Sequence, residues 1–168
     1  MPASYPTSVK SFTTKNAGDA IQPAHVNDLQ DEVTAVETDL LKNWSSWSPT
    51  WTNLTVGDGT VTAKYFKIGK LVFFELHLVL GATSSIGGAV SVDLPVNAAA
   101  TTSFIVGHGE ASDANGLRYS VFSRLTGADT QALYAHDGTS MVPVDTTAPH
   151  VWASTDGLAL TGFYEAAA

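Results

Sequence analysis

The chain has 168 residues, 44% of them hydrophobic and 14% charged, with a formal net charge of −8 and no cysteine. That length holds one domain of ordinary size plus a short appendage. The acidity argues against nucleic acid or an anionic membrane as partner, and the missing thiols exclude a disulfide framework and a thiolate metal site. No apolar run approaches transmembrane length and no basic-then-apolar leader opens the sequence, so the expectation is cytoplasmic synthesis without export or membrane insertion.

Residues 1–22 carry Pro2, Pro6 and Gly18 and show no sustained period, which predicts an arm rather than a domain. Tyr5, Val9, Phe12 and Ile21 are too apolar for a plain linker and read as anchor points that order on another surface. From Pro23 to Asn43 the pattern becomes helical. Val26, Leu29, Val33, Val36 and Leu40 recur at spacings of three and four, the a/d seam of a heptad, and Pro23 suits a first helical turn. The acids between Asp28 and Asp39 followed by Lys42 suggest a favourable match to the helix dipole. So narrow an apolar stripe predicts a stalk that seeks partner helices, the alternative being an amphipathic helix lying on its own domain. A β-branched Val36 at a d position favours three strands over two.

Trp44, Trp47 and Trp51 cluster around Pro49 next. They could form a sugar-stacking platform, but bulky aromatics that plug the junction of rod and head are the stronger reading. From Thr52 the period becomes two, with turn residues at short intervals, which predicts an antiparallel sandwich or barrel and no further helix. Strands are expected at Val61 to Lys67, Leu71 to Leu80, Ala89 to Leu94, Ser103 to Ala111, Leu117 to Leu125, Gln131 to Ala135, His150 to Ala153 and Leu158 to Tyr164. In the central one, Val72, Phe74, Leu76, Leu78 and Leu80 should face the core. Leu71, Phe73, Glu75, His77 and Val79 form a second face too apolar for bulk water, suited to cover by a neighbouring subunit. Asn115-Gly116 predicts a two-residue hairpin turn with Ala114 opposite Leu117 and Asp113 paired with Arg118.

Chemistry is sparse. Outside the helix the only glutamates are Glu75, Glu110 and Glu165, and nothing in the sequence shows the first two facing each other across a sandwich as a glycosidase pair would. The histidines His25, His77, His108, His136 and His150 lack zinc spacing and read as lone polar residues. No nucleophile elbow or phosphate loop is present, and the Asp-Gly pairs at Asp58, Asp137 and Asp156 are explained by turn chemistry rather than calcium. The reading is of a protein that is not an enzyme, with no cofactor and no metal.

The run from Tyr5 to Leu41, with His25, Val26, Asn27, Leu29, Gln30 and Glu32 as its signature, resembles the start of many tailed-bacteriophage fibre and minor structural proteins. The following stretch to Pro95, with Ala63-Lys64-Tyr65, Ile68-Gly69-Lys70 and Leu94-Pro95, is similar to the β heads of tail and head fibres. The resemblance implies a homotrimer located in the virion. Residues 1–22 would form a virion-attachment arm, with Tyr5, Val9 and Phe12 as anchors on other virion proteins. Residues 23–43 would form a coiled-coil stalk, and residues 44–168 a jelly-roll-like β-sandwich head. The implied function is receptor binding to a bacterial surface polysaccharide, with Tyr119, Tyr134 and Trp152 as candidate glycan contacts. The alternative is a non-catalytic capsid decoration or tail adaptor protein that binds no ligand.

Overall fold

The structure is a computed structural model that describes residues 3–5, 8, 10–101 and 104–167, so Val9, an expected anchor, and Ser103, the expected start of a strand, lie outside the described residues. The chain divides into two compact units, 1–43 and 44–168.

The first unit is built on α1 (Pro23–Leu41), opened by Pro23 and by His25, whose Nδ1 accepts the Gln22 backbone N–H at 3.0 Å. His25 is therefore a cap rather than a lone polar residue, since one otherwise orphaned donor is satisfied. The dipole expectation is corrected. The first turn holds no acid and the last no base, and the dipole acts only over those turns. Val26, Leu29, Val33 and Leu40 are each about half exposed, and Val36 is partly covered. The arm returns along α1, where the buried Glu32 carboxylate accepts the backbone N–H groups of Ser4 and Tyr5 and pairs with Lys10 at 3.5 Å, while the Tyr5 hydroxyl donates to Asp39 at 2.7 Å.

The second unit is antiparallel β. Its strands are β1 (Ser45–Ser46), β2 (Trp51–Thr55), β3 (Thr60–Ile68), β4 (Leu71–Val79), β5 (Ser85–Asp93), β6 (Ile105–Ser112), β7 (Arg118–Leu125), β8 (Thr130–His136), β9 (Met141–Pro143) and β10 (Gly157–Glu165). They form one ladder in the order β1-β3-β4-β10-β6-β7-β8-β5-β2, with β9 on β8. β1 and β2 are its two ends, yet only Trp47 to Thr50 separate them in the chain. A flat ladder of this many strands would be about 38 Å wide at about 4.8 Å per step. The link from Ser46 to Trp51 reaches at most about 18 Å, so the sheet must curl. Trp47 sits at the closure, its Nε1 donating to Asp93 on β5 at 3.2 Å and its ring edge-on to Phe74 at 6.2 Å. Trp47 and Trp51 pack on the core, whereas Trp44 lies on the outer surface against Phe66.

The core is the inner face of the curl. Val72, Phe74, Leu76, Leu78 and Leu80 are all buried, as their alternation predicts, and Leu158, Leu160 and Tyr164 of β10 continue the layer. The Phe74 ring lies over Gly162 and Gly107. A Cβ on Gly162 would fall 2.7 Å from Phe74 Cε1 and overlap the Val106 carbonyl, so glycine is the residue that lets this ring in. Ser123 and Gln131 are fully buried on the same face.

Three expectations are corrected. The hairpin pairs Ser112 with Arg118 and His108 with Phe122, one residue away from the expected register. Asp113 N–H bonds Leu117 O at 3.0 Å and Gly116 N–H bonds Asp113 O at 2.9 Å, so the loop has three residues, with Gly116 at φ +97° supplying the left-handed position. Arg118 accordingly pairs with Glu110 at 3.2 Å, and Asp113 instead accepts Asn115 N–H. His150 to Ala153 is a loop. Its alternating burial comes from His150 and Trp152 packing inward rather than from ladder bonds. β2 goes unanticipated because a bulge at Asn53, with φ 60°, breaks the period, and β1 and β9 are short.

Candidate functional site

Register decides which loops share an end of the head. The β3–β4 turn at Gly69-Lys70 and Trp44 lie at one end. The loops around Asp58, Thr83, Ala114 and Asp156 lie at the other, where β3, β7 and β10 begin and β4 and β6 finish. At that second end Asp156 is the tie point. Its carboxylate accepts Ala114 N–H at 2.9 Å and Ala153 N–H at 2.7 Å and meets His150 Nε2 at 3.1 Å. Asp156 and His150 are both buried, so this pair locks the β6–β7 hairpin to the loop that precedes β10.

His150 is the centre of an aromatic stack. Tyr119 lies nearly parallel to it at 5.2 Å and Trp152 is tilted on it at 4.4 Å. Trp152 Nε1 donates to Asp145 O at 2.9 Å. Two of the expected glycan contacts, Tyr119 and Trp152, are thus brought together at one end of the head, each half-buried and each packing on His150. Tyr134 is elsewhere, on the outer face of β8, with the Arg124 guanidinium 5.1 Å from its ring centre. Sequence reasoning took His150 as a lone polar residue and Asp156 as a turn aspartate, and missed their pairing because five intervening residues of irregular chain carry no spacing rule.

The loops at this end are pinned by aspartates. Thr83 N–H and its hydroxyl hold the Asp58 carboxyl below its usual range, and at other tips Ser140 N–H does so for Asp137 and Thr147 N–H for Asp145. These carboxylates are occupied by turn bonds, and no cluster of His, Asp and Glu suited to a metal occurs among the described residues.

Among the described residues, two apolar surfaces stand largely exposed. One is the α1 seam. The other is an outer band of the head made by Trp44, Leu71, Phe73, Phe104, Ile105 and Phe163, in which the Phe73 and Phe163 rings lie 6.1 Å apart. Their exposed area totals on the order of 600 Å². A specific interface buries about 800 Å² per partner. No family model matches the chain, and no curated protein or solved structure matches it. Of the expected anchors in the arm, Phe12 is exposed while Tyr5 is held on Asp39.

Glu75 and Glu110 do not oppose each other across a core. Both lie on the outer face, on β4 and β6 with β10 between them, and each is ion-paired, Glu75 with Lys64 at 3.0 Å and Glu110 with Arg118 at 3.2 Å.

Proposed function

We propose that the chain is one subunit of a homotrimeric bacteriophage fibre that recognises a surface glycan of the host bacterium. The observation that carries this reading is the pair of uncovered apolar surfaces, the α1 seam and the Trp44–Phe163 band. A lone subunit in water would leave both exposed, and packing against two further copies removes both at once. In this account the seams form a short three-stranded stalk and the heads, each a jelly-roll-like sandwich made by opposite halves of the curled sheet, meet along their bands. The arm, with Phe12 open to a partner, attaches to other virion proteins. Weak individual glycan contacts become tight through three heads per fibre and many fibres per particle.

The test is light scattering on the purified chain together with adsorption of the labelled protein to bacterial cells before and after removal of their surface polysaccharide. A mass of about three chains, constant over a wide concentration range, and adsorption that needs the polysaccharide are expected. A monomer would refute the stalk. A trimer that adsorbs to neither preparation would turn the reading to a decoration or adaptor protein.

A further inference from the structure

The outer face of the head holds a trough that the aromatic stack does not use. Its floor is β10, where Ala159 and Thr161 are the outward residues, and its walls are β4 with Glu75 and His77 and β6 with His108 and Glu110. Because β10 lies between the two walls, they stand two strand spacings apart, about 10 Å. Small side chains on the middle strand and long ones on both neighbours make this depression, a cleft of about 400 Å³ that Lys64 also lines.

The chemistry of the walls selects the ligand. The two carboxylates are balanced by Lys64 and Arg118, so the trough has no net charge to draw in a phosphate or a metal ion. Every strand around it is already paired on both sides, which leaves no free backbone edge for an extended peptide. What remains are groups that give and accept hydrogen bonds at once, the imidazoles and the Thr161 hydroxyl, beside carboxylate oxygens that accept two hydroxyls together. The Ala159 methyl supplies an apolar patch on the floor. Vicinal hydroxyls on an otherwise C–H-covered ring match that set.

We propose that this trough binds one or two units of an uncharged polysaccharide, a site that deepens, and rests on, the glycan-binding reading above while placing contact on the side of the head rather than on the Tyr119–Trp152 end. The experiment is amide NMR on the full chain titrated with maltohexaose and chitohexaose, with polygalacturonate as acidic comparator. Shifts at Glu75, His77, His108 and Thr161 with at least one neutral hexamer, and none there with polygalacturonate, are expected. Thr161→Phe, which fills the exposed floor, and His77→Ala, which removes one wall donor, should each weaken binding about tenfold or more without altering the melting curve. Absence of shifts in the trough with both neutral hexamers, or shifts confined to Tyr119 and Trp152, overturns the site. If Thr161→Phe still adsorbs to cells in a polysaccharide-dependent way, the fibre reading stands and the trough is not its site. If the hexamers bind the trough yet the intact chain ignores cells, the trough stands and the fibre reading falls.

Discussion

Replacing Phe163 by serine separates association from folding. The side chain points outward from β10 and is 63% exposed in a single chain, its ring 6.1 Å from that of Phe73. With about 200 Å² for a phenylalanine and about 25 cal/mol per Å², covering that exposed part in the proposed trimer would contribute about 3 kcal/mol per subunit. Three subunits lose up to about 9 kcal/mol together, several powers of ten in the dissociation constant. The isolated head loses only the cross-strand ring pair, about 0.5–1 kcal/mol. Sedimentation equilibrium over a wide concentration range should therefore show Phe163→Ser dissociating to monomers, while urea unfolding of those monomers gives a normal slope. A variant that stays trimeric at micromolar concentration would refute burial of the band, and one that unfolds as it dissociates would show that Phe163 supports the fold.

Gly162→Ala should destabilise the head by about 3 kcal/mol or more, because the added methyl meets the Val106 carbonyl and the Phe74 ring, neither of which can retreat through the packed core. Gly87→Ala, where nothing lies within 4 Å, is the matched control and should change the urea midpoint little. The arm should leave α1 in acid. Ser4 N–H above all, then Tyr5 N–H and Lys10, holds the Glu32 carboxyl below its ordinary value of 4.5. A depressed folded value means that docking is stabilised above pH 4.5 and lost as the pH falls through that lower value. Amide shifts of Ser4 and Tyr5 followed from neutral to acid pH should report this release, and Glu32→Gln should reproduce it at neutral pH. Arm amides indifferent to both changes would show that the carboxylate is not the latch.

Local pattern was legible where one face of one element decides it. β4 could be read residue by residue because its buried set alternates without a break, and α1 because its seam keeps a single period. Legibility failed where geometry depends on partners. Asn115-Gly116 marked the hairpin correctly, yet one additional loop residue moved every pair by a position, which the dipeptide cannot encode. Asn53 hid β2 by placing a bulge inside five residues. The curl, and with it the trough, depends on β10 entering between β4 and β6, a pairing across about half the chain that leaves no local signature. Glu75 and His77 on an otherwise apolar outer face were the visible trace of the trough, and their counterparts His108 and Glu110 could be matched to them only once that insertion was known.

The position of β10 also governs how the head can be made. It is the last of the head strands to leave the ribosome, and it is the one that joins β1-β3-β4 to β6-β7-β8-β5-β2. Until residue 165 has emerged, the nascent chain holds two half-sheets, each with a long unpaired edge, and the apolar face of β4 has lost the cover of Leu158, Leu160 and Tyr164. Such edges accept any passing strand, and the nearest are those of sibling chains on the same polysome. A stop codon just ahead of Gly157 would therefore yield not a smaller head but an aggregating one.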